Sequence, residues 1–342
     1  MDRHGRKGGR RNWPGRTEGQ KMEWIVTDGE AEDGIGRRGR RGRRWDWLPQ
    51  MEGRDIMNEN TNTIWSEHVQ GIQTLYLSRK LRFDDMFFEQ YKETFDLGRG
   101  DGMKILEIGC GPGALAESLH RWYPGAQITA IDRDSNFISF AKEHIAGVDF
   151  REGDAVRLPF EDESFDVTIS NTVQEHVEPA AFWGEQRRVL KPGGVCICLS
   201  ARKGIHCTAL CLEKTEKERA FWESIPQSED ELEKFNVCRF PMSEAEIPAS
   251  MEENGFTDVT TGYAVIDLTP DAPKYPAKLA ELMMEAMRQN DIEAVESTRS
   301  DHAEEILSVI NSKYEERLRL YREGRKQWDT SVSVTMIIRG RK

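Results

Sequence analysis

The chain has 342 residues, with 48 Lys and Arg against 60 Asp and Glu and a net charge of −12. That length holds one large α/β domain with additions. No run of about 18 apolar residues occurs, so no membrane-spanning helix is expected, and an acidic chain is a poor partner for a phosphate backbone.

Residues 1–56 contain RKGGRR, GIGRRGRRGRR and four tryptophans, without a periodic apolar pattern. They carry 14 Lys and Arg against 10 Asp and Glu, a local net of +4 that leaves −16 on the remainder. This composition predicts a disordered, solvated tail, or an upstream extension with Met57 as the working start. Arg-Gly runs with aromatics are also the one part of the chain suited to RNA. The N-terminus has no apolar signal core, and the six cysteines show no framework spacing, which suits a reducing cytoplasm.

Residues 57–102 are predicted to be helical. Ile64, Trp65, Val69, Ile72 and Tyr76, then Phe83, Met86, Phe87, Tyr91 and Phe95, recur at three- and four-residue steps. Most of these belong to a core, while Trp65 or Tyr76 is placed at the border of an active site, since an amphipathic aromatic both covers a ligand and offers a polar tip.

The most informative stretch is MKILEIGCGPG, residues 103–113. Ile105, Leu106 and Ile108 read as a buried parallel strand. Gly109, Gly111 and Gly113 then allow a sharp turn pressed against a ligand, and the helix that follows offers free N–H groups. A dinucleotide fingerprint needs its third glycine three residues after the second, and Ala114 stands there instead. QITAID, residues 127–132, is a second strand ending in Asp132, which suits two ribose hydroxyls. Asp154 follows the strand-like VDFRE and suits an adenine amino group. FDVTISN, residues 165–171, and the strand within RVLKPGGVCICLS, residues 188–200, complete a set whose polar residues collect at the carboxyl ends, where ligands of open α/β sheets bind.

Residues 103–202 resemble the class I S-adenosylmethionine-dependent methyltransferases, in the type 11 branch that includes ubiquinone- and menaquinone-biosynthesis-like enzymes. The resemblance implies an α/β, Rossmann-like sheet of seven strands, six parallel and the last antiparallel, with S-adenosyl-L-methionine as cofactor. It places Glu107, Gly109, Cys110, Gly111 and Gly113 around the methionine part, with Glu107 near its ammonium. Asp132 and Arg133 fall at the ribose, Asp154 and Ala155 at the adenine, and Asn171 and Thr172 at the turn touching the amino-acid moiety.

Downstream, Ser243 and Glu246 form a capping box before a helix that Gly255 ends. Residues 256–268 read as strand six and 331–340 as strand seven. Between these strands, Leu279, Leu282, Met283 and Met287 mark one helix. Asp301 with Glu304 starts another, whose stripe is Ile306, Ile310, Tyr314, Leu318 and Tyr321. The domain is thus 103–342, with insertions 203–242 and 269–330 assigned to a substrate lid. A homodimer interface or simple elaboration of the fold is the alternative reading of those insertions.

Methyl transfer needs orientation more than acid–base chemistry, because the sulfonium carbon is already activated. In NTVQEHVEP, His176 is the candidate base or substrate anchor, with Glu175 second; a histidine that merely bonds a carbonyl is the plain alternative. His206, Cys207, Cys211 and Cys238 could in principle bind a metal, but the sheet the resemblance implies needs none and Cys-x-x-x-Cys pairs occur readily as small core residues, so no metal is expected. The turn after strand four lacks the patterns of adenine- and cytosine-methylating enzymes, so a small-molecule acceptor, apolar or aromatic in character, is favoured. A nicotinamide-dependent oxidoreductase and a non-catalytic S-adenosylmethionine-binding regulator remain as rivals.

Overall fold

The structure, a computed structural model, describes residues 65–225 and 237–342. The arginine-rich segment 1–56, Met57 and Ile64 lie outside the described residues. The helices are α1 Trp65–His68, α2 Ile72–Arg82, α3 Phe88–Phe95, α4 Ala114–Trp122, α5 Ser135–His144, α6 Pro179–Val189, α7 Glu216–Ser224, α8 Glu246–Glu253, α9 Ala277–Ser297 and α10 Ala303–Arg322. The strands are β1 Lys104–Ile108, β2 Gln127–Asp132, β3 Asp149–Glu152, β4 Phe165–Asn171, β5 Leu190–Cys207, β6 Thr257–Asp267 and β7 Thr330–Arg341.

All seven strands form one sheet in the order 3-2-1-4-5-7-6. β1 pairs in parallel with β2 and β4, β2 with β3, and β4 with β5. β7 runs antiparallel to both of its neighbours, β5 and β6. This is the predicted fold. Strand order reverses between β1 and β4, which sets the crevice at the carboxyl ends of these two strands.

Alternation along the central strands feeds two cores. Ile105, Ile169, Ile197 and Leu199 pack with Leu115 and Leu119 of α4 and with Phe83, Tyr91 and Phe95 of the N-terminal segment. Leu106, Ile108, Cys196 and Cys198 face the other way, onto Phe182, Trp183 and Val189 of α6 and Ile247 and Met251 of α8. With period 2, every second side chain crosses to the opposite face. Of the predicted N-terminal stripe, Phe83, Phe87, Tyr91 and Phe95 are buried but Met86 is exposed. The chain breaks between α2 and α3, so the stripe is not one continuous helix.

The insertions make a third core. Ala209, Leu212 and Phe221 from the connection after β5 pack with Val295 of α9 and with Ile306, Ile310 and Tyr314 of α10. β5 itself runs on to Cys207, into the expected insertion, because β7 supplies partners that far, Ile205 to Val332 and Cys207 to Thr330. The Ser243 capping box forms: the Ser243 N–H donates to the Glu246 carboxylate at 2.7 Å and the Glu246 N–H to Ser243 Oγ at 3.4 Å. The expected Asp301 box does not, since the turn through Arg299, at φ 50°, brings Ser300 Oγ against the His302 N–H, and α10 is capped at His302. The end of the α10 stripe also differs. Arg317 and Leu320 are buried there in place of Leu318 and Tyr321, because Arg317 is clasped by Asp271 and Asp329 at 2.9 and 2.5 Å.

Among the described residues, no helix is long and apolar enough to cross a membrane.

Candidate active site

The loop after β1 is held by backbone geometry. Gly109, Gly111 and Gly113 sit at φ 69°, 52° and 88°, the left-handed region that only glycine enters cheaply. A Cβ on Gly109 would run into Val173 Cγ2, and one on Gly113 would come within 2.9 Å of Phe150 and Ile145. The Cys110 N–H donates to the Ile131 carbonyl at 2.9 Å, so the loop is stitched to the end of β2. Cys110 itself is buried and its thiol is pushed well up, by burial first.

Glu107 lies in β1 beneath this loop and is buried. It accepts from the Ala116 N–H in the first turn of α4, and burial first, then the nearby Asp132 charge, raises its pKa well above the usual carboxylate range. Its Oε2 is buried with no hydrogen-bond partner. A cation beside that oxygen would remove the penalty.

Asp132 closes β2. Its Oδ2 accepts from the Gly111 N–H at 2.8 Å and its Oδ1 from the Asp134 N–H at 2.9 Å. Each oxygen retains acceptor capacity. Burial raises this pKa too. Arg133 is exposed, yet its charge acts on His176. Asp154, after β3, is exposed and folds back on the Val156 N–H at 3.1 Å, and Ala155 packs half-buried against the α6 side of the sheet. Gly153, next to Asp154, ties this turn to the end of β2: its N–H donates to the Asp132 carbonyl at 3.0 Å.

At the end of β4, Asn171 leads into Thr172, which adopts φ 54°. A β-branched residue held there stores strain, and such strain collects at functional sites. Thr172 is fixed by its N–H on the Leu199 carbonyl at 2.8 Å and by Arg79 Nη2, which donates to its Oγ1 at 3.0 Å. The following 3-10 turn, Gln174–His176, carries both candidate catalytic residues. The Cys238 N–H donates to His176 Nδ1 at 2.9 Å. In the neutral ring the proton is therefore on Nε2. Burial, then the Arg133 and Arg79 charges, push the imidazole pKa down to about 4. Glu175 is raised by burial, against which Arg79 and Arg202 work, and its Oε2 is buried without a hydrogen-bond partner.

The N-terminal helices cover this assembly. Trp65 meets the His176 ring edge-on at 4.8 Å. The Ser66 N–H donates to Asp134 Oδ2 at 2.7 Å, Leu75 lies against Gly111, and Tyr76 donates to Glu117 at 2.9 Å. On the opposite flank the Phe240 N–H donates to the Glu175 carbonyl at 2.8 Å. Trp65 and Phe240, of the elements expected to border or cover the site, thus reach the Glu175–His176 turn, while the hydrogen bond linking α9 of the 269–330 insertion to the N-terminal segment is made at Gly71. Sequence reasoning missed Asp134, although an acid two residues before Asn136 is a helix cap signal, and the cap forms at 2.9 Å. It also missed Arg79, whose i+3 and i+7 spacing from Tyr76 and Ile72 put it on the inward stripe, and Arg202. Among the described residues, no three His, Cys, Asp or Glu side chains gather as a metal site.

Residues 106–198, the segment that builds the loop, Asp132, Asp154 and the His176 turn, match the methyltransferase domain family. Over that segment the chain is similar to methyltransferase domains. Relatives of that domain include the fatty-acid O-methyltransferase of Mycolicibacterium smegmatis, 31% identical over 182 residues, 44% of this chain and 66% of that protein. A probable phthiotriol/phenolphthiotriol dimycocerosates methyltransferase 2 of Mycobacterium ulcerans is 44% identical over 152 residues, covering 43% and 58%. The ubiquinone/menaquinone biosynthesis C-methyltransferase UbiE of Desulfotalea psychrophila is 38% identical over 99 residues, covering 28% and 40%. The chain therefore spans 40% to 66% of the length of these relatives.

Proposed function

We propose that the chain is an S-adenosyl-L-methionine-dependent methyltransferase acting on a small, largely apolar molecule in the cytoplasm. One observation carries the reading: Glu107 holds a buried, unpartnered carboxylate oxygen beneath a left-handed glycine loop that is bonded to Asp132. An ammonium suits the first and a ribose the second. Glu107, Gly109, Cys110, Gly111 and Gly113 would hold the amino-acid end, Asp132 and Arg133 the ribose, Asp154 and Ala155 the adenine, and Asn171 and Thr172 the turn beside the methyl donor. The bound cofactor supplies an activated methyl carbon.

What the chain's own residues add is alignment and the exclusion of water. Leu75 covers the glycine loop, while Trp65 and the 238–242 segment pack on the Glu175–His176 turn. His176, neutral and carrying its proton on Nε2, is suited to donate a hydrogen bond to an acceptor rather than to remove its proton. Fatty-acid, phthiotriol-lipid and quinone relatives support an apolar small molecule as the acceptor class. The free cysteines suit a reducing compartment.

Calorimetry of the full chain against S-adenosylmethionine, S-adenosylhomocysteine and NAD tests the reading. Saturable binding of the first two and none of the third is expected. Transfer of label from methyl-labelled cofactor into a metabolite extract then separates an enzyme from a regulator. A folded protein with no affinity for either sulfur nucleoside overturns the proposal.

A further inference from the structure

The first helix is too small to hold its own place. α1 is a single turn, Trp65–His68, and none of its four residues is buried. A lone turn has no stability of its own, because nucleating it costs more than its one hydrogen bond returns. Its position over His176, where Trp65 meets the imidazole edge-on at 4.8 Å, is therefore set by bonds that reach it from the rest of the molecule. At its start the Ser66 N–H donates to Asp134 Oδ2 at 2.7 Å, and Asn136 Nδ2 donates to Ser66 Oγ at 3.1 Å. Past its end the Gly71 N–H donates to Glu293 Oε1 at 2.6 Å.

Each tether leads to a different part of the molecule. Asp134 is buried and bonded on three sides: Oδ1 accepts the Asn136 N–H that caps α5, Oδ2 holds Ser66, and its own N–H donates to Asp132 Oδ1 at 2.9 Å. The residue that grips Ser66 thus also orients the carboxylate read as the ribose ligand. Glu293 belongs to α9 in the helical lobe, and its carboxylate lies so close along Gly71 that a Cβ there would come within 2.8 Å of Oε2. That approach needs a glycine, since a side chain would lift the carboxylate off the N–H. One turn further on, Leu75 lies against Gly111 of the cofactor loop.

We propose that Asp134 and Glu293 are positioning residues for methyl transfer: they hold α1 at its two ends, so that filling the nucleoside site at Asp132 secures Trp65 over His176. The proposal rests on the methyl-transfer reading and adds to it the residues that complete the site. The structure shows α1 seated, and with none of its residues buried this turn is of the kind that opens and recloses locally. Ribose hydroxyls that donate to Asp132 fix its carboxylate, the Asp134 N–H bonded to Oδ1 is fixed with it, and Oδ2 is then held where Ser66 needs it. That is the differential contact a shift toward the seated form requires. Trp65 then closes the methyl-transfer place against water once the donor has arrived. Glu293 supplies the second hold, so the helical lobe and the nucleoside site act on the same turn.

Amide exchange of the full chain with and without S-adenosylhomocysteine, read on the peptide spanning residues 65–71, tests this. S-adenosylhomocysteine is expected to slow exchange of the wild-type peptide about tenfold or more. Asp134→Ser offers one oxygen in place of two, so it keeps the α5 cap and gives up Ser66. That variant should lose the ligand-dependent slowing at 65–71, keep wild-type exchange in α5, and bind S-adenosylhomocysteine about three- to tenfold more weakly. Glu293→Ala should speed exchange at Gly71, and Glu293→Gln, which still accepts that N–H, should restore it. A 65–71 peptide that exchanges at one rate with and without bound S-adenosylhomocysteine overturns the proposal even if the variants fail to fold, and so does unchanged slowing in a folded Asp134→Ser. Failure of S-adenosylhomocysteine itself to bind is a different result, which removes the methyl-transfer reading along with the proposal.

Discussion

The sheet and the helical lobe solve the problem of placing charge in opposite ways. At the carboxyl edge of the sheet, Glu107 and Glu175 are buried with an oxygen left unbonded, and His176 is kept neutral by its surroundings. In the lobe, Arg317 is wholly buried between Asp271 and Asp329, and Asp271 Oδ2 further accepts the Gln327 and Trp328 N–H groups at 2.8 Å. Both places leave buried atoms unbonded, Arg317 Nη1 and Asp329 Oδ2 included; the difference is that Arg317 meets opposite charges at hydrogen-bond distance, as in a joint, whereas the charge beside Glu107 is another carboxylate, Asp132, as expected of a place that would take a cation. The lobe is joined to the sheet by α2: the Gly71 N–H donates to Glu293 of α9 at 2.6 Å, and Leu75, one turn on, touches Gly111.

That contrast is most sharply tested by breaking the joint. Arg317→Met leaves two buried carboxylates without their cation, which costs about 3–5 kcal/mol. Thermal or urea unfolding should show that loss, while the variant, kept below its unfolding temperature, retains wild-type affinity for S-adenosylhomocysteine. An equal collapse of affinity would mean that lobe and loop are one cooperative unit. Next in size is the protonation of His176. Its folded pKa of about 4 lies below the ordinary 6.5, so between these values the unfolded chain binds more protons and stability falls as pH falls. The contribution, present above pH 6.5 and lost through pH 4, is about 3 kcal/mol. Measured as the difference between wild type and His176→Gln, which cancels the common carboxylate titration, the gap should shrink by that amount from pH 7.5 to pH 4. A gap constant with pH would show that the ring is not buried as described.

The two regions also differ in how far the residues announced them. β1 to β4 were legible because each depends on a local rule: a continuous apolar run, a glycine at a turn, an acid at a strand end. Asp132 was singled out by such a rule, whereas the roles expected of Glu107 and Thr172 came from the family resemblance. The lobe depends on pairs far apart in the chain. Arg317 on the α10 stripe reads as a break in an apolar pattern until Asp271 and Asp329, 46 and 12 residues away, are seen to enclose it. Arg202 was hidden for the same reason, since its meaning comes from the neighbouring β4 turn. The Asp301 box failed for a smaller one: after the left-handed Arg299 the chain turns so that Ser300 Oγ accepts the His302 N–H, and α10 starts without a side-chain cap.

On the sheet side, Gly109→Ala should cost about 2–3 kcal/mol, the sum of a strained left-handed alanine and the displacement of Val173. Binding of S-adenosylmethionine should be lost with it, since the loop has to move. Val173→Ala added to that variant makes room for the new methyl. Partial recovery of stability in the double variant would identify the contact as the cause, and no recovery would place the strain in the backbone alone.

The smallest effect separates site from scaffold most cleanly. Glu107 is buried with a raised pKa, so in the ligand-free protein its ionised form is unfavourable, and Glu107→Gln, similar in shape and neutral, should unfold at nearly the wild-type temperature or slightly above it. Affinity for S-adenosylmethionine should fall by about 1.5 kcal/mol, roughly tenfold, because a charge-assisted hydrogen bond to the ammonium is replaced by a neutral one. The wild type should also bind less tightly as pH falls through the raised pKa, since the ligand then has to expel a proton, whereas the Gln variant should show no such slope. If the two proteins share the same pH dependence, the unpartnered oxygen of Glu107 is not where the cation sits.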